Sequence, residues 1–297
     1  MKLFGGIEAG GTKFVCMVAA SPDKIIAETK IPTTTTEETI RQTNDFFSPF
    51  VLRGELAAVG IGSFGPVDLN QNSQTYGFIT TTPKPNWSFT DLLGGVQKKL
   101  QIPVGFDTDV NAAAFGECYW IPENKDLDPF LYVTVGTGIG VGVIANGRPV
   151  HGLVHTEGGH LALPHDKQED PFEGFCPYHR DCWEGLASGP AMAKRWGKPA
   201  NLLEDGHPGW NLEAKYIALA ITNLIYLYSP MRIVLGGGVS QHKGLLQKVQ
   251  LKTQQLLNGY VQSDMILNHI DQYIVSPGLG TRSGVLGAIA LARELAH

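Results

Sequence analysis

Cysteine and histidine side chains with the spacing of metal ligands occur in the second half of the sequence. Cys176, His179 and Cys182 follow one another at three-residue steps, and His160 precedes them. Two thiolates and two imidazoles form the tetrahedral donor set that zinc prefers. The surrounding stretch is poor in apolar residues, so an ion would supply stability that a core supplies elsewhere. Because four protein ligands leave no open position, the pattern predicts a structural zinc site.

Two alternatives to this site stay open from the sequence alone. The two cysteines can be free thiols beside surface histidines. One of three other histidines can also replace His160 as the fourth ligand, namely His151, His155 or His165. Four cysteines are few for a disulfide scaffold of 297 residues. In a reducing compartment, a close pair of cysteines is more often metal-bound or inert.

A second group of polar residues follows a predicted strand at Val104–Asp107. Asp107, Asp109 and Asn111 alternate there, and three alanines then begin a predicted helix. Open α/β sheets place ligands and catalytic groups at the carboxyl ends of their strands. The simpler interpretation is that Asp109 only caps the helix.

Two glycine turns have the composition of phosphate-binding loops. The first joins apolar runs around Gly10-Gly11-Thr12, and the second joins those of Phe130–Ile144 around Gly136-Thr137-Gly138. Glycine permits close approach, and such a turn offers backbone N–H groups and a hydroxyl to phosphate oxygens. Either turn alone is compatible with an ordinary hairpin. Their repetition, with Thr12 and Thr137 in matching places, predicts two similar halves facing each other across a cleft.

The elements that must position these residues alternate between strand and helix, which predicts an α/β fold. The hydrophobic pattern predicts strands at Leu3–Glu8, Lys13–Ala19, Ile25–Ile31, Leu56–Gly62 and Ile233–Leu235, and helices at Thr36–Leu52, Phe89–Leu100, Gly185–Trp196, Leu212–Tyr228 and Gly284–Leu295.

Composition narrows the class of protein further. The chain has 297 residues, of which 43% are hydrophobic and 17% charged, values typical of a globular protein with a core. A net charge of −5 with scattered basic residues argues against nucleic-acid binding. No apolar run is long enough to span a membrane, and Glu8 interrupts the first apolar run before a signal-peptide core forms. We therefore expect a cytoplasmic protein.

Taken together, these motifs resemble the ROK family of sugar kinases and related repressors over nearly the whole chain. The similarity rests on GGIEAGGTK, DTDVNAAAFGE, TVGTGIGVG, EGGH, CPYHRDCWEG and LGGGVS. It implies the actin-like, ribonuclease H-like ATPase fold, with two α/β domains around a cleft. We expect domains at residues 1–117 and 118–281, with a C-terminal helix at about 282–297 packing back on the first. ROK repressors place a DNA-binding segment ahead of the first glycine turn, where only Met1–Phe4 stand here.

The resemblance also implies roles for individual residues. Asp109 is the expected general base, which accepts the proton of the attacking sugar hydroxyl, and a helix N-terminus favours its ionised form. The implied sugar contacts are Gly65, Asn111, Glu157, His160 and Glu184, with Gly65 and the loop around Trp87 closing the pocket. His160 would bind zinc through one ring nitrogen and the sugar through the other. The implied nucleotide contacts are Gly10, Gly11, Thr12, Lys13, Thr137, Gly138, Pro190, Gly237 and Gly238.

The implied activity is ATP- and Mg²⁺-dependent sugar phosphorylation, and the Cys-x-x-His-x-x-Cys core resembles the fructokinase branch. Another preferred hexose, such as glucose, mannose or N-acetylmannosamine, is the alternative, and a sugar sensor without catalysis is a third. The family usually has an aspartate where this chain has Glu8, so a role of Glu8 in magnesium binding follows less directly. The resemblance further implies a homodimer.

Overall fold

The computed structural model describes residues 2–296, along which strands and helices alternate. Its strands are β1 (Leu3–Ala9), β2 (Lys13–Ser21), β3 (Lys24–Pro32), β4 (Leu56–Ser63), β5 (Phe78–Ile79), β6 (Thr90–Asp91), β7 (Val104–Thr108), β8 (Phe130–Val135), β9 (Ile139–Ala145), β10 (Arg148–Pro149), β11 (Arg232–Gly236) and β12 (Ile274–Val275). Its α-helices are α1 (Thr36–Leu52), α2 (Leu92–Leu100), α3 (Asp109–Trp120), α4 (Trp183–Ala187), α5 (Gly189–Trp196), α6 (Gly209–Tyr228), α7 (Leu245–Leu257), α8 (Asp264–Leu267), α9 (Ile270–Tyr273) and α10 (Ser283–Glu294).

Two five-stranded sheets repeat one plan, which confirms the predicted α/β class. The first has the order β3-β2-β1-β4-β7, and the second has the order β10-β9-β8-β11-β12. In the first sheet β1 and β2 are antiparallel, whereas β4 pairs in parallel with both β1 and β7. In the second sheet β11 likewise pairs in parallel with β8 and β12. Each sheet thus contains one of the two predicted glycine turns, between β1 and β2 and between β8 and β9.

The first sheet is covered on both faces because its strands alternate two apolar sets. Ile7 and Ala9 of β1 belong to a core that includes residues of α1 and α2. Phe4 of the same strand packs with Ile289 of α10 on the other face. Helices α10 and α3 approach closely, since a Cβ added to Gly287 would lie 1.8 Å from the carbonyl oxygen of Ala112. Small residues at this crossing allow the two helix backbones to touch.

The chain divides into two compact units. Unit 1 comprises residues 1–126, 142–156 and 278–297, and unit 2 comprises residues 127–141 and 157–277. The C-terminal helix α10 belongs to unit 1, and α4 to α9 belong to unit 2. Between residues 2 and 296, no helix has both the length and the apolar character needed to cross a bilayer.

Three predicted helices differ in the structure by three residues or more. The helix predicted at Leu212–Tyr228 begins earlier, at Gly209. The helix predicted at Phe89–Leu100 begins at Leu92, because Asp91 is its N-cap and accepts a hydrogen bond from the N–H of Gly94 (2.8 Å). The helix predicted at Gly185–Trp196 is two helices, α4 and α5, separated at Ser188. Ser188 is extended there, and its side chain caps α5. The prediction placed Ser188-Gly189-Pro190 near the start of one continuous helix, whereas Ser188 separates two helices.

Candidate active site

The junction between β7 and α3 places three polar side chains at one edge of the first sheet. Thr108 is the N-cap of α3, since its side-chain oxygen accepts a hydrogen bond from the N–H of Asn111 (3.1 Å). Asp109 occupies the first helical position, and its Oδ1 accepts a hydrogen bond from the N–H of Val110 (2.8 Å). The N-cap of α3 is therefore Thr108 rather than Asp109, and the Asp109 carboxylate accepts one N–H of the first helical turn.

Asp107 is a buried carboxylate that contacts three groups. Its Oδ1 accepts hydrogen bonds from the N–H of Thr108 (2.7 Å) and from Nδ2 of Asn111 (2.8 Å). Its Oδ2 lies 2.8 Å from Nε2 of His151. A carboxylate accepts hydrogen bonds, so we assign a proton to this Nε2. The hydrogen bond to Asp107 is the main reason that the pKa of His151 is raised.

Asn111 presents a buried acceptor with no partner. The residue is fully buried, and its Oδ1 lacks a hydrogen bond within the part of the chain that the structure describes. Because Nδ2 donates to Asp107, the orientation of the amide is determined. Leaving a buried acceptor unpaired is costly, so such an atom points to a ligand that donates to it.

The loop that contains Gly65 is held by a histidine. Nε2 of the buried His155 accepts a hydrogen bond from the N–H of Val67 (3.0 Å). Trp87 is fully buried, and its Nε1 donates to the carbonyl of Thr34 (2.9 Å). The indole is thus part of the unit 1 core, and only its neighbours in the loop remain candidates for closing a pocket.

The first glycine turn is held from one side and open on the other. The N–H of Gly10 donates to the carbonyl of Lys13 (3.1 Å), and the hydroxyl of Thr33 donates to the carbonyl of Gly10 (2.7 Å). Thr12 and Lys13 are exposed, and nothing lies within 4 Å of a Cβ added to Gly11. The turn therefore leaves room for a ligand at the residues predicted to contact phosphate.

Glu8 faces the N-terminus of α10. Burial raises the pKa of its carboxyl group, whereas the charge of Lys13 and the backbone N–H of Val285 act in the opposite direction. The carboxylate stands two residues before the first glycine turn. Magnesium in nucleotide sites is bound by one or two carboxylates together with phosphate oxygens, and Glu8 is compatible with that role.

The second glycine turn is fastened to α5 and borders a cavity of unit 2. The N–H of Gly189 donates to the carbonyl of Gly136 (2.7 Å). The cavity has a volume of about 800 Å³. Predicted nucleotide contacts that line it are Thr137, Pro190 and Gly238. Gly237 precedes Gly238 in the segment after β11, so the structure brings these parts of the prediction together.

The same cavity contains an aromatic pair that sequence reasoning missed. The rings of Trp210 and His242 stack with centroids 3.6 Å apart and an interplanar angle of 5°. Both residues line the cavity, together with Asn201 and Gln241. Trp210 begins α6 and His242 precedes α7, and no local pattern indicates that two such distant positions meet. An apolar cavity with a few polar groups suits a nucleobase.

Glu184 connects the second glycine turn to the predicted metal ligands. Its Oε2 accepts a hydrogen bond from the N–H of Ile139 (2.8 Å). A Cβ added to Gly138 would lie 2.8 Å from this oxygen, so glycine permits the approach. Glu184 follows Cys182, the N-cap of α4, by two residues. A predicted sugar-binding carboxylate thus lies between a predicted phosphate turn and the cysteine cluster.

Glu157 and His160 lie on one short turn. The N–H of His160 donates to the carbonyl of Glu157 (3.0 Å), and residues Gly158–His160 form a 3₁₀ turn. A Cβ added to Gly159 would lie 1.9 Å from the carbonyl oxygen of Ile139, so the turn rests directly on β9. This contact explains the paired glycines between the two predicted functional side chains.

The four predicted metal ligands come together in unit 2. The ligand atoms of His160, Cys176, His179 and Cys182 all lie within 4.8 Å of one another. Nδ1 of His160 is 3.5 Å from Sγ of Cys182 and 3.8 Å from Sγ of Cys176. Nδ1 of His179 is 3.7 Å from the latter sulfur. Neither cysteine forms a disulfide bond.

These distances suit a tetrahedral zinc site. Ordinary Zn–S and Zn–N bonds place a nitrogen and a sulfur ligand roughly 3.6 Å apart. Burial raises the pKa of the Cys182 thiol to about 12, chiefly because it removes the thiolate from water. A bound cation favours the deprotonated thiolate, so the donor set fits a divalent ion.

The three alternative histidines have other partners. His151 pairs with Asp107, and His155 bonds the backbone of Val67. Nδ1 of His165 lies 3.0 Å from Oδ2 of Asp181, and its Nε2 lies 2.9 Å from the carbonyl oxygen of Asp170. The cluster therefore contains His160, as in the favoured sequence interpretation.

A second polar cluster holds the irregular segment that contains the metal ligands. The buried carboxylate of Asp170 accepts hydrogen bonds from both Nε (3.2 Å) and an NH₂ group (3.1 Å) of Arg195. The hydroxyl of Tyr216 donates to the same carboxylate (2.7 Å). These contacts join the segment to α5 and α6, the two helices that also contribute Pro190 and Trp210 to the cavity.

Known proteins resemble this chain along its whole length. Residues 4–295 match the model of the ROK family. A fructokinase of Streptococcus mutans serotype c (strain ATCC 700610 / UA159) is 45% identical over 298 residues, which cover 99% of each chain. A fructokinase of Zymomonas mobilis subsp. mobilis (strain ATCC 31821 / ZM4 / CP4) is 43% identical over 296 residues, or 98% of this chain and 96% of the relative. Among solved structures, a ROK family glucokinase from Streptomyces griseus in complex with glucose and AMPPNP aligns with a TM-score of 0.76 and 23% identity, covering 98% of this chain and 99% of that one.

The chain belongs to the ROK family. The structural likeness to ROK sugar kinases confirms the actin-like ATPase fold that the family resemblance implies. Membership also explains why two sheets of the same order each contain one glycine turn.

Proposed function

We propose that the protein is an ATP-dependent fructokinase, which transfers the γ-phosphoryl group of ATP to D-fructose and forms fructose 6-phosphate. The choice of sugar is supported by full-length relatives named fructokinase at 45% and 43% identity. The kinase chemistry is supported by one structural observation above all. Asp109, a carboxylate, occupies the first turn of α3 directly after a strand of the first sheet.

Asp109 acts as the general base. A sugar hydroxyl is a weak nucleophile, and a carboxylate that accepts its proton during attack on the γ-phosphorus increases its reactivity. The N-terminus of α3 favours the negative form of Asp109 before the reaction. Most of the remaining barrier is lowered by positioning and by neutralising phosphate charge.

The proposed sugar contacts are mostly side chains that form hydrogen bonds. Proposed contacts are Gly65, Asn111, Glu157, His160 and Glu184. Carboxylates accept and amides both accept and donate hydrogen bonds, which suits the paired hydroxyls of a sugar. The unpartnered Oδ1 of Asn111 supports its place in this set, because a sugar hydroxyl supplies the missing donor.

The two glycine turns bind the phosphates of ATP, and the cavity of unit 2 binds its base. Gly10, Gly11, Thr12 and Lys13 form the first phosphate contact, and Thr137 and Gly138 form the second. Pro190, Gly237 and Gly238 flank the adenosine, and the stacked rings of Trp210 and His242 contribute an aromatic wall. Glu8 helps to hold the nucleotide-bound magnesium, whose charge offsets that of the phosphates.

Zinc is held by His160, Cys176, His179 and Cys182 and has a structural role. When bound, it supplies rigidity to a segment with few apolar residues. The Nδ1 atom of His160 faces the two sulfurs, so its Nε2 is the nitrogen left for the sugar. Elemental analysis of purified protein should find one zinc per chain, and folded protein that contains no zinc would contradict this assignment.

We also propose that the protein forms a homodimer, as the family resemblance implies. Exposed aromatic and aliphatic side chains near the end of α6 support an interface there. Tyr226 is 50% exposed, Leu227 69% and Tyr260 81%, and the two tyrosine rings are 6.3 Å apart. Light scattering at micromolar concentration tests this proposal, and a monomer mass would refute it.

The substrate is tested by the release of ADP from Mg-ATP with fructose, glucose, mannose, N-acetylmannosamine and allose. We expect kcat/KM for fructose to exceed the others by at least about tenfold, which corresponds to about 1.4 kcal/mol of transition-state binding. Equal values for several hexoses would replace fructokinase by a broad hexose kinase. No turnover with any sugar in zinc-loaded protein would indicate a sugar sensor.

The base is tested by the substitution Asp109→Asn. We expect turnover to fall by at least about 100-fold while sugar binding, measured by calorimetry, is retained, because the amide cannot accept the proton. Asp126→Asn, at an exposed position of the same unit, serves as the control. Normal turnover in Asp109→Asn would rule out the proposed mechanism.

A further inference from the structure

The carboxylate of Asp107 joins two side chains that are far apart in sequence. One oxygen accepts from the amide of Asn111, and the other lies 2.8 Å from Nε2 of His151. The side chain of Asp107 is 4% exposed, whereas that of His151 is 42% exposed. A buried carboxylate thus orients a half-exposed imidazole beside the strand–helix junction that contains Asp109.

The partners of Asp107 limit what each of them offers to a ligand. Since Nδ2 of Asn111 is bound to Asp107, only its unpartnered Oδ1 is left to accept a hydrogen bond. Since Nε2 of His151 donates to Asp107, its Nδ1 is the second ring nitrogen, which accepts in the neutral imidazole and donates in the imidazolium. A sugar hydroxyl both donates and accepts, so it suits this nitrogen as well as Oδ1 of Asn111.

The backbone around His151 favours a defined position for the ring. His151 and His155 form an antiparallel bridge, and the N–H of Gly152 donates to the carbonyl of Val154 (2.8 Å). The other end of this short loop is held through His155, which bonds the N–H of Val67 (3.0 Å). The loop is thus attached both to the junction of β7 and α3 and to the segment that follows Gly65.

We propose that His151 is a further sugar-binding residue, which forms a hydrogen bond with a substrate hydroxyl through Nδ1, and that Asp107 is the positioning residue for both His151 and Asn111. This proposal rests on the proposed function, because it assigns the ligand to the sugar of the kinase reaction. It adds one side chain, that of His151, to the sugar contacts that the family resemblance implies, and it gives Asp107 a positioning role.

The test compares His151→Ala with His151→Gln. The Gln side chain has an Nε2 that can still donate to Asp107, but its acceptor, Oε1, does not occupy the position of the imidazole Nδ1. We expect both variants to raise KM for the sugar by about tenfold, with kcat and KM for Mg-ATP within about threefold of wild type, because one hydrogen bond to the sugar is lost.

A role limited to supporting Asp107 gives a different result. His151→Gln would then restore the wild-type KM for the sugar while His151→Ala would not, and this outcome would overturn the direct contact. An unchanged KM in both variants would overturn it as well. Equal thermal unfolding midpoints of the two variants and wild type show that any change in KM does not come from partial unfolding.

A matched control and the role of Asp107 complete the experiment. His269→Ala removes another histidine, exposed in unit 2 and 3.4 Å from the carboxylate of Asp264, and should leave every constant unchanged. Asp107→Asn should raise KM for the sugar, and combining it with His151→Ala should add little, since the two residues act together. Fully additive effects of the two substitutions on KM would show that Asp107 and His151 act independently. Wild-type turnover is measured first with the hexose panel, and the preferred sugar is then used for all variants. A failure of the fructokinase proposal is thereby distinguished from a failure of the His151 proposal.

Discussion

The two units hold their peripheral segments by different kinds of contact. In unit 1, helix α10 lies against α3 and the first sheet through apolar side chains and direct backbone contact at Gly287. In unit 2, the irregular segment between β9 and α4 is held by the metal-ligand cluster and by the buried carboxylate of Asp170. The comparison teaches that apolar packing supplies most of the contacts of a regular helix, whereas an irregular segment depends on directional bonds.

Two other buried carboxylates show the opposite contrast, because the one in unit 1 has hydrogen-bond donors and the one in unit 2 has none among the residues that the structure describes. Glu117 in unit 1 accepts hydrogen bonds from the N–H groups of Gly278 (2.9 Å) and Leu279 (3.0 Å) and from the hydroxyl of Ser283 (2.7 Å). These three donors are uncharged, and through them Glu117 ties α3 to the start of α10. Glu213 in unit 2 is just as buried, and neither of its oxygens has a partner in the described chain.

The largest effect is expected where the polar anchor of unit 2 is broken. Asp170→Asn removes the negative charge beside Arg195, whose side chain is only 6% exposed. Because an unpaired buried cation is costly, the free energy of unfolding should fall by about 3–5 kcal/mol in urea titrations. Asp264→Asn changes an ion pair whose acid is 73% exposed and should cost less than about 1 kcal/mol. Equal losses in both variants would refute the anchoring role.

A smaller effect is expected where the shape-based contact of unit 1 is disturbed. Gly287→Ala adds a methyl group 1.8 Å from the carbonyl oxygen of Ala112, so the helices must separate. The free energy of unfolding should fall by about 1–3 kcal/mol. The sign of this change is decisive, because replacing glycine by alanine at an uncrowded helix position increases stability by up to about 1 kcal/mol. Glu294→Ala, at an exposed position of the same helix, is the control, and a stabilised Gly287→Ala would disprove the close contact.

The third prediction concerns the pH dependence that Glu213 causes. Burial raises its pKa well above the ordinary 4.5, so the folded protein keeps a proton that the unfolded chain releases. Stability is therefore lost as pH rises from that ordinary value through the folded pKa, by about 1.4 kcal/mol per pH unit. Glu213→Gln removes this proton, so its stability relative to wild type should increase across that window. Unfolding titrations at several pH values measure this difference, and Glu204→Gln, at an exposed position, is the control. If the free energies of unfolding of wild type and Glu213→Gln changed in parallel with pH, the role of Glu213 would be excluded.

Much of the fold was predictable because its signals are local. The turns Gly10-Gly11-Thr12 and Gly136-Thr137-Gly138 stand between apolar runs, and both proved to connect neighbouring strands. The predicted bounds of the first helix agree with those of α1. The break at Ser188 was missed, because a capping serine and a proline in the first turn also occur within apparently continuous helical patterns.

The candidate site was predictable in its residue types but not in its pairings. Three-residue spacing identified the core of the metal cluster, yet the choice of His160 over His165 depended on where an irregular segment folds. The pair of His151 with Asp107 and the stack of Trp210 on His242 have no local signal. Contacts between distant positions follow from strand order and helix packing, which a single sequence does not display.

The amino-acid sequence by itself determined the chemistry that is present: two glycine turns, a carboxylate at a strand–helix junction and a zinc-type donor set. The tertiary structure alone decided which side chains meet. It made Thr108 rather than Asp109 the helix cap, directed the oxygen of Asn111 away from Asp107, and gave His151 a carboxylate partner. The physical reason is that composition and spacing act within a few residues, whereas hydrogen bonds between distant residues form only after burial has brought them together.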